Sequence, residues 1–455
     1  MKKLGLAFLV ILLNACSAIG KIDNEPVEHL PQGKQRYSPA YYSQQHPVGD
    51  TLLLLAFSGG GTRAAALSYG VLEELRDTHY QHNGQQTRLL DEVDRISSVS
   101  GGSFTSAYYG LFGEQIFDDF KQVFLYKDVQ GELSSLVLGV FNLLQRIFTT
   151  SSRTELAINY YDKHIFRGKT FADMQQSGGP FILINASDLN SQSQFVFVQG
   201  QFDFLCSDLS QFKVARAVAA SSSVPILFPP ILLQRHDDCH YEKPEWLENA
   251  EKTAIKDEDQ RLKSSVSALN FYLEHDNPPY VTLLDGGVTD NLGLRSILNN
   301  VSLSGGAKKM FQRFGRYTPP KEMVVIVVDA STTSITGIGK SRLLPSIGDT
   351  LSVVTDMQLH LYNTETNTLL KEQLVQWAKS LSTKEHTVKP YFIDLDATDI
   401  HNKKDRLFFN RVPTSFALEK EQADKLIDMA RKMLRQDSDY QKLLQQLGAK
   451  TGDRQ

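Results

Sequence analysis

The sequence predicts an α/β fold built on a mainly parallel central sheet, and three features carry that expectation. Near-continuous apolar runs at Thr51 to Phe57, Tyr280 to Leu284 and Glu322 to Ser331 have the pattern of strands buried on both faces. The first run leads into a glycine turn, Ser58 to Thr62, and then into a stretch with Leu67, Val71, Leu72 and Leu75 at helical spacing. The stretch from Val93 to Tyr109 repeats that order of strand, tight turn and helix. With 455 residues, 41% of them hydrophobic and 22% charged, the chain is globular and able to bury a large core. A formal net charge of -4 and the absence of any basic run argue against a nucleic-acid partner.

Taken in order, the chain opens with "MKKLGLAFLVILLNACSAIG": two lysines, then an apolar run from Leu4 to Leu13 that is too short to span a bilayer and has the order of an export signal. Its Leu-x-Ala-Cys ending resembles the bacterial lipoprotein cleavage box. That resemblance implies removal of residues 1–15, lipidation of Cys16 and, with Ser17 in place of an aspartate, delivery to the outer membrane. Several acyl chains at one site anchor stably, at about 0.8 kcal/mol per buried methylene. Residues 16–50, rich in Gln, Pro, Tyr and Ser, read as a lipidated N-terminus and tether before the folded body.

The glycine turn after the first strand presents backbone amides to a negative charge at a helix start, a device that serves phosphates and oxyanions alike. "SGGGTRAAA" has neither the G-x-G-x-x-G pattern nor a Walker lysine, so a nucleotide is not indicated. In the second unit, "RISSVSGGSFTSAYYG", Ser100 stands at a strand-to-helix corner. A hydrolase nucleophile corner reads Gly-x-Ser-x-Gly, and here Ser98 replaces the first glycine. Ser97, Ser98 and Ser103 lack a following glycine pair and read as packing or cap residues. A weak nucleophile needs a base, and Asp285, at the end of a buried strand and followed by Gly286 and Gly287, is the best candidate. Asp290 and Asn291 read as a turn or helix-cap element.

Four stretches in the same order resemble one family. "SGGGTR" is similar to the patatin oxyanion loop, "SVSGG" to its nucleophile turn, "DGGVTDN" to its base motif, and "ARAVAASSSVPILFPP" (Ala215 to Pro230) to its Ala-Ser-x-Ala-x-Pro-x-x-Phe-x-Pro segment. The chain therefore resembles a bacterial patatin-like phospholipase of the lipoprotein type. The resemblance implies a three-layer α/β/α acyl hydrolase fold with a mainly parallel central sheet. It also implies a Ser100–Asp285 dyad working through an acyl-enzyme, with the amides of Gly59, Gly60 and Gly61 holding the oxyanion. Arg63 would orient the loop or meet a lipid phosphate. The partners implied are a phospholipid or other acyl lipid and a membrane reached through the anchor, with no metal and no organic cofactor. Two alternatives stand beside this one: a Ser-Asp-His triad drawing on His360, His386 or His401, and a non-catalytic lipoprotein whose loop binds anionic headgroups.

The remaining segments complete the organisation. Cys206 and Cys239 either form a disulfide, closing a loop of roughly thirty residues worth about 2–4 kcal/mol, or stay as two buried thiols. "HDDCH" (His236 to His240) lacks the spaced partner pair a metal site needs. Leu133 to Phe148 reads as a buried helix, with the lining of an acyl channel or a dip into a bilayer face as alternatives, and Glu242 to Asn277 as a solvated surface helix inserted before the base strand, with a lid as the alternative. Helical spacing at Leu351 to Leu381 and Leu418 to Leu447, and a strand at Pro390 to Leu395, place residues 301–455 as a continuation packed on the same sheet as the catalytic core of residues 51–300.

Overall fold

The computed structural model describes residues 20–32, 36–46, 49–82, 84–138, 153–225, 228–313, 318–332, 342, 344 and 346–451. The expected signal segment, Cys16 and the part of Leu133 to Phe148 beyond Leu138 lie outside them. The strands are β1 (Thr51–Phe57), β2 (Thr78–His82), β3 (Gln85–Arg88), β4 (Val93–Val99), β5 (Phe181–Asp188), β6 (Ser193–Val196), β7 (Ile231–Gln234), β8 (Tyr280–Asp285), β9 (Glu322–Val328), β10 (Lys389–Leu395) and β11 (Lys450–Thr451). The main sheet runs in the order β10-β9-β1-β4-β5-β8-β7, with β6 paired to β5, and β11-β2-β3 form a small separate sheet. β10, β9, β1, β4 and β5 are parallel to one another; β8 is antiparallel to β5, and β7 to β8.

Alternation along the central strands separates two cores. Leu53, Leu55 and Phe57 of β1, with Val324, Ile326 and Val328 of β9, face the cluster formed with the helices Gly61–Asp77, Gly101–Phe112 and Lys420–Gln436. Leu52, Leu54 and Ala56, with Met323, Val325 and Val327, face Leu298, Leu370, Leu374 and Trp377 of the helices Arg295–Leu303 and Ile347–Leu381. Both faces of the sheet are thus covered, which gives the three-layer α/β/α architecture. Each fully buried aliphatic side chain contributes about 1.5–3 kcal/mol, and this is why β1 and β9 are apolar at every position after their first residues, Thr51 and Glu322.

The C-terminal third belongs to the same body, because β9 lies directly against β1 in full register from Thr51↔Glu322 to Phe57↔Val328. Its Lys420–Gln436 helix packs on Gly61–Asp77, where a Cβ at Gly70 would fall 2.5 Å from the Ile427 carbonyl. Beside that contact Arg431 pairs with Glu73, Glu74 and Asp77 at 3.2, 3.1 and 2.7 Å.

Two expectations change. The described part of residues 20–50 is docked on the body, not a free tether. Ile22 bridges to Leu232 and Pro26 to Ser207, and Tyr37 is 1% exposed, its hydroxyl donating to the Ile182 carbonyl (2.9 Å) and accepting from the Ile182 amide (3.1 Å). Tyrosines that suggested a polar linker supply apolar rings and a polar tip to a buried contact. The inserted segment from Glu242 to Asn277 is a pair of helices, Glu245–Lys256 and Gln260–Leu273, each with a buried face (Leu247, Ala250 and Ala254; Leu262, Val266 and Tyr272). The segment is thus two surface helices, each laying one face on the core and leaving the other to solvent.

Candidate active site

The site forms where β1, β4 and β8 end. After β1, the Ser58 hydroxyl accepts from the Ala330 amide (2.8 Å) and donates to the Gly59 carbonyl (2.9 Å), tying the loop to the end of β9. Gly60 has φ 138° and Gly61 φ 61°, values that glycine adopts without a Cβ penalty. The Gly59 amide donates to the Asn291 carbonyl at 3.0 Å, so of the three amides expected to face an oxyanion this one is already used. Gly60 and Gly61, at N-cap and N1 of the following helix, have amides with no helical carbonyl to receive them.

Arg63 lies below this loop. It is 2% exposed, and its guanidinium donates to the carbonyls of Ala330 (2.8 Å) and Val412 (2.5 Å) and to the Thr414 hydroxyl (3.0 Å). Those contacts fix the loop against two C-terminal segments and leave no face for a lipid phosphate. Of the two roles expected for Arg63, the geometry supports loop orientation.

At the end of β4, Ser100 has φ 48° and ψ −120°, a sparsely populated conformation for a residue with a side chain. Such a corner costs about 1–3 kcal/mol and persists only where its surroundings enforce it. A Cβ at Gly101 would fall 1.9 Å from the Gly61 carbonyl oxygen, and one at Gly102 2.7 Å from Phe57 Cβ. The glycine pair is therefore required by the close approach of the Gly101–Phe112 helix to the β1 loop. Ser98, in contrast, has room for its side chain: its hydroxyl lies 2.6 Å from Ser106 Oγ and donates to the Leu183 carbonyl (3.3 Å). The other serines are also engaged, Ser97 with the Gly293 carbonyl (2.5 Å) and Ser103 with Ser221 Oγ (2.9 Å).

β8 reaches the site by an unexpected route. It is antiparallel to β5, so its last residue would ordinarily emerge at the far edge of the sheet. It overlaps only the end of β5, pairing Asp188↔Leu283, Ser187↔Leu284 and Ala186↔Asp285. With Val99 opposite Asn185 on the other side of β5, Asp285 lands level with Ser100. Its carboxylate accepts from the Gly287 amide at 2.8 Å. Burial pushes its pKa up to about 6, against the opposing pull of the Gly287 amide that it accepts and of the neighbouring Ser100 hydroxyl. A hydroxyl held at a strained corner against a buried carboxylate can lose its proton to that carboxylate.

Sequence reasoning gave no role to Ser221 and read Asn291 only as part of a turn or helix cap. Ser221 Oγ accepts the Ser100 amide (2.9 Å), its carbonyl accepts the Gly286 amide (3.1 Å), and the Ser223 carbonyl accepts the Asp285 amide (3.0 Å). The end of the Val214–Ser221 helix thus fixes both candidate residues; the family-like segment Ala215 to Pro230 was the only signal for it. Asn291 holds the Gly59 amide by its carbonyl, while its Nδ2 donates to Ser331 Oγ (3.2 Å). Its neighbour Asp290 receives the Arg295 amide (2.7 Å) at the start of the next helix, as a cap residue would.

Among the described residues, none of the three histidines of the triad alternative hydrogen-bonds Ser100 or Asp285. His386 hydrogen-bonds the Pro320 carbonyl (3.0 Å), just before the start of β9 and so at the opposite edge of the sheet from Ser100; His360 bonds the Thr332 carbonyl (2.8 Å), and His401 is exposed. Cys206 and Cys239 are joined, with an S–S distance of 2.06 Å. Among the described residues no group of three or more His, Cys, Asp or Glu could hold a metal, and no helix is long and apolar enough to cross a membrane.

A family model described as "Patatin-like phospholipase" matches residues 55–298. No curated protein sequence matches the chain. Among solved structures, human GIVD cytosolic phospholipase A2 is similar at 11% identity and a TM-score of 0.45, over 94% of this chain and 66% of that one. The same human protein in complex with methyl gamma-linolenyl fluorophosphonate is similar at 11% identity and a TM-score of 0.41, over 91% and 63%. The chain spans less than two thirds of the length of either.

Proposed function

The chain belongs to the patatin-like phospholipase family, and from that premise we propose that it hydrolyses carboxylic esters of phospholipids or related acyl lipids with a Ser100–Asp285 dyad. Ser100 Oγ attacks the ester carbonyl while Asp285 accepts its proton. The amides of Gly60 and Gly61 hold the tetrahedral oxyanion. Collapse expels the alcohol, protonated by Asp285, and leaves an acyl-Ser100 ester. Water then attacks that ester with Asp285 again as base, releasing the fatty acid and restoring the serine. The observation that carries this reading is the strand register that sets the buried Asp285 carboxylate, its pKa lifted to about 6 by burial, level with the strained Ser100 corner beside the glycine loop. An aspartate at its ordinary value of about 3.9 would be a poor base near neutrality.

We further propose that the chain is a bacterial envelope lipoprotein, acylated on Cys16 and held in the outer membrane. Purified protein should release fatty acid from phospholipid in detergent micelles, and Ser100→Ala and Asp285→Asn should each lower the rate by about 10³-fold or more. Single alanine replacements of His360, His386 and His401 should leave it within about twofold, since a triad histidine would cost orders of magnitude. Retained hydrolysis in either dyad variant refutes the assignment, and a large loss at one histidine replaces the dyad by a triad.

A further inference from the structure

We propose that the N-terminal segment is a short leash that holds the β7–β8 edge of the sheet, and with it the mouth of the site, against the bilayer bearing the anchor. This rests on the acylation of Cys16 and the hydrolase reading proposed above.

β7 is the last strand of the sheet, and the N-terminal segment covers its free edge. Ile22 pairs in parallel with Leu232. Asn24 Nδ2 donates to the Gln234 carbonyl (2.7 Å), and its Oδ1 accepts from the Gln234 amide (2.8 Å). Asp23 pairs at 2.6 Å with Arg216, whose side chain is 2% exposed. Further along, the Val27 amide donates to the Cys206 carbonyl (3.0 Å), and Arg36 pairs with Asp203. Releasing such a segment exposes a buried arginine and an open strand edge, both costly. Docked structure is present from Gly20 onward, four residues after Cys16. At most about 14 Å of chain then separates the lipid from the folded body, whereas a flexible tether reaching to residue 50 would have a root-mean-square reach of about 30 Å.

The clamped edge is also the one beside the site. β7 pairs with β8, which carries Asp285. Because β8 overlaps only the end of β5, the Tyr280 end of β8 and the Gln234 end of β7 project past the site edge of the sheet. Leu189 (46% exposed), Tyr280 (49%) and Val288 (53%) stand out around this rim, in the size range suited to the headgroup–acyl boundary. At the opposite edge β10 is preceded by exposed Lys384 and Glu385. The short length of chain before Gly20, which leaves the body beside β7, makes the occupant of this edge a lipid surface.

The test uses the full acylated chain in a Ser100→Ala background, so that vesicles stay intact, reconstituted in phosphatidylethanolamine–phosphatidylglycerol vesicles containing lipids brominated in their acyl chains. With Cys16 acylated and Cys206 bonded to Cys239, a cysteine introduced by Tyr280→Cys or Lys384→Cys takes a fluorescent label alone. Quenching by the brominated lipid should be about threefold or more stronger at 280 than at 384, and inserting about thirty Gly/Ser residues between Ala18 and Ile19 should abolish the difference. Equal quenching at the two positions, or a difference that survives the insertion, overturns the leash. An N-terminal peptide without acyl mass overturns the leash and the anchor together. Hydrolysis of micelles by protein with Ser100 intact reports separately on the enzyme reading.

Discussion

Replacing Asp285 by asparagine should remove a pH dependence of stability as well as activity, and the two effects have opposite signs. Burial moves the Asp285 pKa from 3.8 to about 6. At about 1.4 kcal/mol per pKa unit, that gap is worth about 3 kcal/mol. The folded chain binds this proton more tightly than the unfolded chain, so the contribution is complete below about 3.8 and is lost as pH rises through about 6. Urea unfolding of the wild type and Asp285→Asn at about pH 4 and about pH 8 measures it. The stability of the variant relative to the wild type should be greater at the higher pH by about 2–3 kcal/mol. Over the same range wild-type kcat/KM should fall about tenfold per unit below about pH 6, because the base must be ionised. Asp290 provides the control: burial raises it too to about 6, so Asp290→Asn should show a similar stability signature while keeping the hydrolytic base. If the relative stability of Asp285→Asn does not change with pH, or falls as pH rises, then Asp285 is not a charge held at a cost by burial and the reasoning fails.

Three other outcomes follow from contacts at the site. Ser98→Gly, which restores the glycine of the family's corner, should retain kcat within about twofold and lower stability by about 1 kcal/mol through loss of the Ser106 hydrogen bond, read by steady-state kinetics and thermal melting. Arg63→Lys keeps the charge and gives up the planar fork that reaches Ala330, Val412 and Thr414. It should lower kcat on an uncharged short-chain ester and on phospholipid alike; a rise in KM confined to phospholipid would instead make Arg63 a headgroup ligand. Ser221→Ala leaves the Ser100 amide without its acceptor, which should cost about 1–3 kcal/mol of stability and lower kcat about tenfold with little change in KM.

What could be read in the sequence was what local physics fixes. β1 and β9 are legible because a strand buried on both faces carries an apolar run, here unbroken after Thr51 and Glu322, and the corner at Ser100 because glycine appears where another backbone passes. The unread parts depend on partners far away along the chain. Ser221 acts on Ser100 across 121 residues, and Asn24 clamps Gln234 across 210; no local pattern encodes either. The tyrosines of the N-terminal segment carried the wrong message for the same reason: an amphipathic residue in a polar stretch does not say whether a surface awaits it, and Tyr37 finds the backbone of Ile182 across 145 residues.

Asp285 reaches the candidate site by a route other than the one its sequence position suggested. A carboxylate at a strand end was expected to face the crevice because strands of a parallel sheet end there. β8 runs the other way, and a longer overlap with β5 would have carried Asp285 down toward the opposite edge. Each further paired residue would move it by about 3.4 Å, so two more would take it about 7 Å below Ser100, beyond hydrogen-bond reach. The register of three pairs is held from outside the strand, by the Ser221 and Ser223 carbonyls on the Gly286 and Asp285 amides. The backbone of Gly286 also lies where a Cβ would fall 2.4 Å from the Asn185 carbonyl oxygen. The first glycine after the aspartate is therefore a register device: it lets β8 stop against β5 at the one level where the carboxylate meets the serine.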